Sequence, residues 1–308
     1  MTREQMLTIT PPEEPADIES FWQATYDQTR VTPLRLEVSE LQSPYIDFRL
    51  RLVNFDGLGG VRLGAWLVEP TDGLIDRHVV VGHGYYNRPV EDISYAPRTA
   101  ALFFGCRGLG VSRVKGISDI TAFHVLHGIE SKETYVHRGC VADTWSATSA
   151  MLELFPSART FLEYRGQSFG GGIGAMALAW ENRFSFARLM IPSFGHHPIR
   201  LANPCTGAGE AVRQRWKRQP VIYENTLRYF DAAAMAHRIK TPTHFACALF
   251  DPAVPPPGQF AIYNACGSEK RLTVNRTGHH NWDHTAADDA AAERDAEAMR
   301  VDVIKRLG

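Results

Sequence analysis

The sequence predicts an α/β fold with a mostly parallel, doubly wound sheet, antiparallel leading strands and helices on both faces. In most of the chain, short runs of consecutive apolar residues alternate with helical segments. Such runs are typical of strands that are buried on both faces. Before them, three segments alternate apolar and polar residues, as half-buried antiparallel strands do.

We expect one domain, because 308 residues suffice for a single large core and the sequence shows no repeat or low-complexity linker. The predicted domain spans residues 1–308, with an N-terminal arm at 1–32. Two long insertions, 107–138 and 193–235, are expected over the carboxyl ends of the strands, where ligands bind in such sheets. Loops of this length inside a compact domain tend to be functional.

The elements are predicted in order along the chain. The antiparallel strands are predicted at 33–40, 45–54 and 61–68. A glycine-rich hairpin turn is predicted at 57–60. The buried strands are predicted at 78–82, 100–106, 160–164, 187–192, 244–250 and 271–275. Helices are predicted at 140–154, 168–180, 254–265 and 286–307, with shorter helical stretches at 210–217 and 223–229.

Charge and targeting signals exclude several classes of partner. Lys and Arg number 33 against 34 Asp and Glu, so we expect neither a nucleic acid nor a membrane surface as partner. The first residues lack the apolar core of a signal peptide, and no run approaches the about 18 apolar residues of a spanning helix. The five cysteines are scattered and are expected to be free thiols in a reducing cytoplasm.

Residues 166–170 (GQSFG) match the pattern G-x-S-x-G. An apolar run leads into them, and small and apolar residues suited to a helix follow. A strand, a sharp turn and a helix with Ser168 at the tip are typical of a nucleophile elbow. The alternative is a glycine-rich turn into a packed helix, or a phosphate cradle. The flanking strand and helix favour the elbow.

An elbow serine needs a base and an acid, which follow it in the order Ser…Asp/Glu…His. Asp251 comes directly after the apolar run 245–250, and His279 follows the run 271–275 and a short turn. Both are therefore predicted at the carboxyl ends of strands. For Asp251 the alternative is a residue that caps a turn beside Pro252.

The histidine is ambiguous, because His280 is adjacent to His279 and His284 follows. His280 and His284 stand at i and i+4, so a metal site with Asp283 is conceivable. The sequence offers no third-ligand motif such as H-E-x-x-H for it. No cofactor is predicted.

Two backbone amides are predicted to form an oxyanion hole. One belongs to Phe169, the residue after the serine, and the other to the loop 82–86 (GHGYY) after the first buried strand. The glycines of this loop allow close approach to an ester oxygen, which makes the Tyr85 amide a reasonable donor. His83 is interpreted as a structural residue that bonds to neighbouring backbone.

These motifs resemble those of the acetyl xylan esterase and cephalosporin C deacetylase family of α/β-hydrolases. The resemblance rests on residues 165–171 (RGQSFGG), on H-G-Y at 83–85 and on G-H at 278–279. Further elements appear in the family's order over nearly the whole chain. They are Phe21-Trp22, Arg107-Gly108-x-Gly110, and parts of 128–138, 229–231 and 251–264.

The resemblance implies an α/β-hydrolase fold with Ser168 as nucleophile, His279 as base and Asp251 as acid, and with Tyr85 and Phe169 as oxyanion donors. It implies an intracellular, metal-independent hexamer that removes acetyl groups from xylo-oligosaccharides, acetylated sugars and cephalosporin C. The alternatives are a hydrolase of longer acyl esters, lactones or amides, and a non-catalytic binding protein on the same scaffold.

The chain departs from the family pattern at three positions. Phe169 stands where the family commonly has glutamine, Val254 where cysteine is usual, and His280 where glutamate usually follows the histidine. The Phe169 side chain is expected to alter the pocket, because only its amide is needed for the oxyanion. These departures suggest a divergent member with its own preference for acyl group or alcohol.

Overall fold

A mixed sheet forms the centre of the protein. The computed structural model describes residues 1–43, 45–85, 97–279 and 286–307. Within them the strands are β1 (Glu37–Leu41), β2 (Phe48–Gly57), β3 (Val61–Pro70), β4 (Arg77–Gly82), β5 (Thr99–Phe104), β6 (Leu162–Gln167), β7 (Phe186–Met190), β8 (Thr243–Phe250) and β9 (Lys270–Thr277). Their order across the sheet is β1-β2-β3-β5-β4-β6-β7-β8-β9.

The leading strands are antiparallel, as predicted. β1 pairs with β2, β2 with β3, and β3 with β5, each in antiparallel register. The β2–β3 hairpin closes through Leu58–Gly60, where Gly59 and Gly60 have φ values of 74° and 72°. Residues with a Cβ rarely adopt this conformation, which explains the glycines of the turn.

The remaining strands are parallel, and their register brings the loops of the site together. Gly82 at the end of β4 pairs with Gly166 near the end of β6. Phe250 at the end of β8 pairs with Thr277 at the end of β9. The sheet grows from β4 towards β5 on one side and towards β6 on the other, which leaves a crevice at the carboxyl ends of these strands.

Helices cover both faces of the sheet. They are α1 (Arg3–Met6), α2 (Ile18–Val31), α3 (Thr121–His124), α4 (Val136–Leu154), α5 (Phe169–Leu178), α6 (His197–Ala202), α7 (Gly207–Arg218), α8 (Ile222–Asn225), α9 (Ala232–Met235), α10 (Pro256–Ala265) and α11 (Ala286–Leu307). Successive residues of a strand point to opposite faces. In β7, Phe186 packs with Met299 and Val303 of α11, while Ala187 joins the main core.

Several boundaries differ from the predicted ones for local reasons. β1 begins at Glu37 rather than at 33, because Arg35 has a φ of 43°, which does not fit a strand. α10 begins at Pro256, in agreement with the preference of proline for the first helical position. The predicted helix 223–229 is divided into α8 and a 3₁₀ turn over Leu227–Phe230.

The N-terminal segment packs on the core. Ile18 and Trp22 of α2 are buried, and the Trp22 indole N–H donates to the Tyr229 carbonyl at 2.9 Å. We propose that residues 1–308 form one domain, because the described strands share one sheet and both this segment and 193–235 contribute side chains to the same hydrophobic core. Among the described residues, no helix combines the length and apolar composition needed to cross a membrane.

Candidate active site

Ser168 occupies the turn between β6 and α5. β6 ends at Gln167 and α5 begins at Phe169, so the serine is the single residue between them. Its φ of 55° and ψ of -113° lie in a sparsely populated region. Such strain costs about 1–3 kcal/mol and is concentrated at functional sites. The turn is held by hydrogen bonds from the Ser168 amide to the Met190 carbonyl and from the Ser193 amide to the Ser168 carbonyl.

Glycines permit this tight turn. A Cβ on Gly166 would collide with the backbone of Gly170. A Cβ on Gly170 would lie 2.5 Å from the carbonyl oxygen of Gly82. The first turn of α5 therefore packs directly on the ends of β6 and β4, and the serine is presented at the edge of the sheet.

The structure brings Ser168, His279 and Asp251 together. His279 Nδ1 lies 2.8 Å from Asp251 Oδ2, and His279 Nε2 lies 2.8 Å from Ser168 Oγ. The carboxylate only accepts, so Nδ1 carries the proton that it donates to Asp251. In the neutral ring Nε2 is then the acceptor of the Ser168 hydroxyl proton. This is the arrangement of a base beside a nucleophile.

Asp251 is fixed by donors on both of its oxygens. Its Oδ1 accepts from the amides of Ala253 and Val254, each at 2.9 Å. Its Oδ2 accepts from the Gln259 amide group at 3.3 Å as well as from His279. The turn beside Pro252 is thus part of what orients the carboxylate towards the histidine.

Gln259 is a residue of the site that sequence reasoning missed. It is fully buried in α10, donates to the Val254 carbonyl at 2.7 Å and accepts from the Ala248 amide at 2.9 Å. It therefore ties β8 and the turn after it to α10. A glutamine eight residues after Asp251 carries no sequence signal of this role, because the role depends on how α10 packs against β8.

The loop after β4 lies against the elbow. A Cβ on Gly84 would lie 3.7 Å from Ser168 Cβ, so the loop backbone runs beside the serine. His83 donates from Nδ1 to the Gly84 carbonyl at 3.0 Å and accepts at Nε2 from the Cys106 amide at 3.1 Å. Burial lowers the pKa of His83 to about 4, so the ring is neutral. These contacts hold the backbone of the loop.

The two predicted oxyanion donors flank Ser168. Phe169 is the first residue of α5, so its amide belongs to the first turn, whose N–H groups lack intrahelical partners. Tyr85 follows Gly84 in the loop that runs beside the serine. Backbone amides in these positions are the donors that acyl-transfer sites use for a developing oxyanion.

The Phe169 side chain packs beneath the loop rather than in the cleft. It is fully buried, and its ring centroid lies 4.1 Å from that of Tyr85 and 5.9 Å from that of Phe194. Phe169 is not one of the described residues that line the cleft. The Phe169 side chain therefore influences the shape of the cleft through the residues packed around it, and not by lining the cleft itself.

Both long insertions contribute to the cleft beside Ser168 and His279. The segment 107–138 provides Thr121, and the segment 193–235 provides Phe194, Arg200 and residues 206–209. The space open to the centre of a water molecule amounts to about 30 Å³. Since about 10–15 Å³ by this measure holds one water, the cleft accommodates a small group beside the serine.

One group of metal-ligating side chains occurs in the described part of the chain, away from Ser168. The thiols of Cys106 and Cys140 and the Asp143 carboxylate are buried and lie within 4.8 Å of one another. The Arg107 amide and guanidinium already donate to both oxygens of Asp143, so this set does not fit a metal ion. The metal candidates predicted from the sequence lie outside the described residues; they are His280, Asp283 and His284.

A comparison with protein families matches nearly the whole chain. The family model described as acetyl xylan esterase (AXE1) matches residues 4–293. This match covers every predicted site residue, from Tyr85 to His279.

Solved structures show the same fold. Acetyl xylan esterase 1 from Thermoanaerobacterium sp. JW/SL YS485 superposes with a TM-score of 0.81 at 20% identity, over 96% of this chain and 98% of that one. The acetyl xylan esterase from Paenibacillus sp. R4 gives 0.82 at 23% identity, over 97% and 99%. A Pyrococcus horikoshii acylaminoacyl peptidase gives 0.57 at 15% identity, over 88% and 41%. The α/β-hydrolase fold is thereby confirmed.

Proposed function

The chain belongs to the acetyl xylan esterase family and is a carboxylic ester hydrolase, and we propose that it removes acetyl groups from small soluble esters through Ser168, His279 and Asp251. The observation that carries this mechanism is the pair of 2.8 Å hydrogen bonds that His279 makes to Ser168 and Asp251. Acetylated sugars and xylo-oligosaccharides are the proposed substrates, because the family's name and the small cleft both point to short acyl esters.

In the proposed first half of the reaction, Ser168 Oγ attacks the acetyl carbonyl while its proton passes to His279 Nε2. Asp251 stays ionised, accepts from Nδ1 and stabilises the imidazolium. The oxygen of the tetrahedral intermediate accepts hydrogen bonds from the Tyr85 and Phe169 amides. Loss of one such donor typically costs about 3 kcal/mol of transition-state stabilisation.

Collapse of the intermediate breaks the bond to the alcohol, which leaves with the proton from His279 Nε2. The product of this half is an acetyl ester on Ser168. Water then gives a proton to the neutral His279 and attacks the acetyl carbonyl through the same oxyanion site. Acetate leaves, and the proton returns from His279 to Ser168 Oγ.

The principal test replaces the nucleophile. Ser168→Ala is expected to lower kcat for p-nitrophenyl acetate by at least about 10⁴-fold, as removal of a serine nucleophile does elsewhere. A fluorophosphonate should label the wild type at Ser168 and leave the variant unlabelled, as read by mass spectrometry. Ser39→Ala, on the exposed edge strand β1, is the matched control. Wild-type turnover by Ser168→Ala would overturn the mechanism, and an unlabelled wild type would favour a binding protein.

The same assay separates an acetyl esterase from a hydrolase of longer acyl groups. Because the described residues around Ser168 leave only about 30 Å³ open to the centre of a water molecule, kcat/KM is expected to fall steeply from p-nitrophenyl acetate to the butyrate and octanoate. A flat series, or a maximum at the longer esters, would favour the second candidate.

Assembly and compartment are part of the same proposal. The family resemblance is the reason to propose a homo-oligomer, with a hexamer as the specific form. All five cysteines are free thiols, which is typical of proteins in a reducing compartment and supports a cytoplasmic location.

A further inference from the structure

Arg200 is an arginine buried in the cleft beside the candidate nucleophile. It lies in α6, within the segment 193–235, and is only 7% exposed. It lines the same cleft as Ser168 and His279, and also a smaller adjoining cavity. Its position therefore lets it meet a group that a bound ester carries next to the reacting acetyl.

In the part of the chain that the structure describes, no acidic residue pairs with this guanidinium. Within the described residues the Arg200 side chain makes no hydrogen bond or ion pair, and its Nη1 is buried without a partner. Its guanidinium carbon lies 5.2 Å from the centroid of the Phe194 ring, a contact that leaves the N–H donors free. Burial lowers the pKa of Arg200, because water is excluded from the charge. Arg107 provides the contrast, since its side chain is also largely shielded from water, at 12% exposed, but is paired with Asp143. A buried charge is normally paired, so an unpaired one in a cleft requires a partner from outside.

The carboxylate of Asp231 is already occupied by other donors. Asp231 is the acidic residue that raises the pKa of Arg200, and its effect on that pKa is smaller than the effects of Cys205, Tyr135 and Tyr85. Both Asp231 oxygens accept from backbone amides, those of His196 and His197 and those at the start of α9. The neighbouring thiol and phenols carry no charge at neutral pH.

The N-terminus of α7 supplies a second feature that favours an anion. Residues 207–209 begin this twelve-residue helix and line the same cleft, and no side chain caps their amides. A Cβ on Gly209 would lie 2.6 Å from Arg200 Nη2, so the guanidinium packs directly on the first turn. The one acidic residue of that turn, Glu210, accepts from Arg213 and Gln214 instead. Uncapped amides and the helix dipole attract negative charge.

We propose that Arg200 and the first turn of α7 bind a carboxylate on the alcohol portion of the substrate. This inference rests on the proposed function, because an acetyl group has no charge and the anion must then belong to the alcohol. The preferred substrates are acetyl esters of hydroxy acids or of acidic sugars. Arginine suits this role because its planar fork donates two parallel hydrogen bonds to a carboxylate.

The test compares two acetyl esters of nearly the same size and shape, 4-acetoxybenzoate and 4-acetoxybenzamide, of which only the first carries a charge. Wild-type kcat/KM should be higher for the carboxylate. Arg200→Met should lower kcat/KM for the carboxylate by about 10- to 100-fold, mainly through KM, and change it for the amide by less than about twofold. Equal losses for both esters, or no loss for either, would overturn the proposal.

Arg218→Met is the matched control, because Arg218 is exposed at the end of α7 and should move neither value. Removal of an unpaired buried charge is expected to leave the melting temperature of Arg200→Met unchanged or raised. A structural role for Arg200 predicts a lower melting temperature together with parallel losses on both esters.

Inhibition of the wild type provides a measurement that needs no variant. 4-Hydroxybenzoate should compete with p-nitrophenyl acetate at lower concentration than 4-hydroxybenzamide does, and equal inhibition constants contradict the carboxylate site. A different result would contradict the proposed function itself: hydrolysis of 4-acetoxybenzamide by Ser168→Ala as fast as by the wild type. If the wild type hydrolyses both esters through Ser168 but does not prefer the carboxylate, only the proposed Arg200 site is contradicted.

Discussion

The side chain of His279 is held between one oxygen that only accepts and one hydroxyl that can donate. Asp251 fixes the proton on Nδ1, and this leaves the Nε2 lone pair directed at Ser168 Oγ. Gly278 is necessary for the approach, because a Cβ there would collide with the Asp251 carboxylate. The geometry therefore depends on the residue before the histidine as well as on the histidine itself.

The adjacent histidines provide a direct test of the base. His279→Ala is expected to lower kcat for p-nitrophenyl acetate by at least about 10⁴-fold, because the proton of Ser168 then has no acceptor. His280→Ala is the control, and we expect it to keep substantial activity. The reverse result would move the base by one residue. Circular dichroism of both variants checks that the fold is intact.

Ser168, Asp251 and His279 could be predicted from the sequence because each directly follows a strand or a short turn after one. The strands are parallel, so residues that follow their carboxyl ends lie at the same edge of the sheet. Gln259 and Arg200 could not be predicted in this way. Each acts through contacts that depend on how its helix packs, and neither belongs to a local motif.

The loop after β4 is an element whose position depends on one side chain. Tyr85 Oη lies 3.2 Å from both His124 Nδ1 and His137 Nε2. His124 Nε2 faces the Arg107 carbonyl at 2.9 Å and must donate to it. The Tyr85 hydroxyl can both donate and accept, so it pairs with these two ring nitrogens at once. The phenol thus anchors the loop that carries a proposed oxyanion donor.

Tyr85→Phe is expected to loosen this loop, because it leaves two buried imidazole nitrogens without a partner. The free energy of unfolding should fall by about 1–3 kcal/mol. The loss of the hydroxyl that positions the loop should lower kcat for p-nitrophenyl acetate about 5-fold, with KM little changed. Tyr45→Phe, at an exposed tyrosine, is the control. An unchanged kcat in a destabilised Tyr85→Phe would limit the hydroxyl to a structural role.

Most strands and long helices could be predicted from their apolar patterns, since these reflect burial on one or two faces. The placement of β4 between β5 and β6 could not, because pairing partners are selected by packing of the whole sheet. The short helices α6 and α9 were also beyond prediction. Asp231 caps α9 and accepts from the amides of His196 and His197 at the start of α6, so both depend on a contact across 34 residues.

Across the molecule, several buried histidines are neutral at physiological pH. Burial lowers the pKa of His83 to about 4, and burial with the nearby Arg188 lowers that of His244 to about 4. Burial also depresses the pKa of His137. In the unfolded chain these rings bind a proton near pH 6.5, whereas the folded protein does not. Below that pH the unfolded state binds more protons, so stability falls as pH decreases from about 6.5 to about 4.

His244 allows this contribution to be isolated. Its Nε2 donates to Thr273 Oγ1 at 2.9 Å, because the Thr273 hydroxyl itself donates to Asp295, and its Nδ1 is buried without a partner. His244→Gln keeps a donor for Thr273 and removes the titration. Between pH 7 and 4.5 the wild type should lose on the order of 2 kcal/mol more of its free energy of unfolding than this variant does. Urea denaturation at the two pH values measures the difference.

The exposed His237 provides the control for this measurement, since its side chain is 54% exposed. His237→Gln should lose as much stability on acidification as the wild type does, because it replaces an exposed histidine and leaves the buried His244 in place. Carboxylates that protonate in the same range contribute equally to all three proteins and cancel in the comparison. Parallel losses in the wild type, His244→Gln and His237→Gln would show that His244 accepts its proton in the folded state.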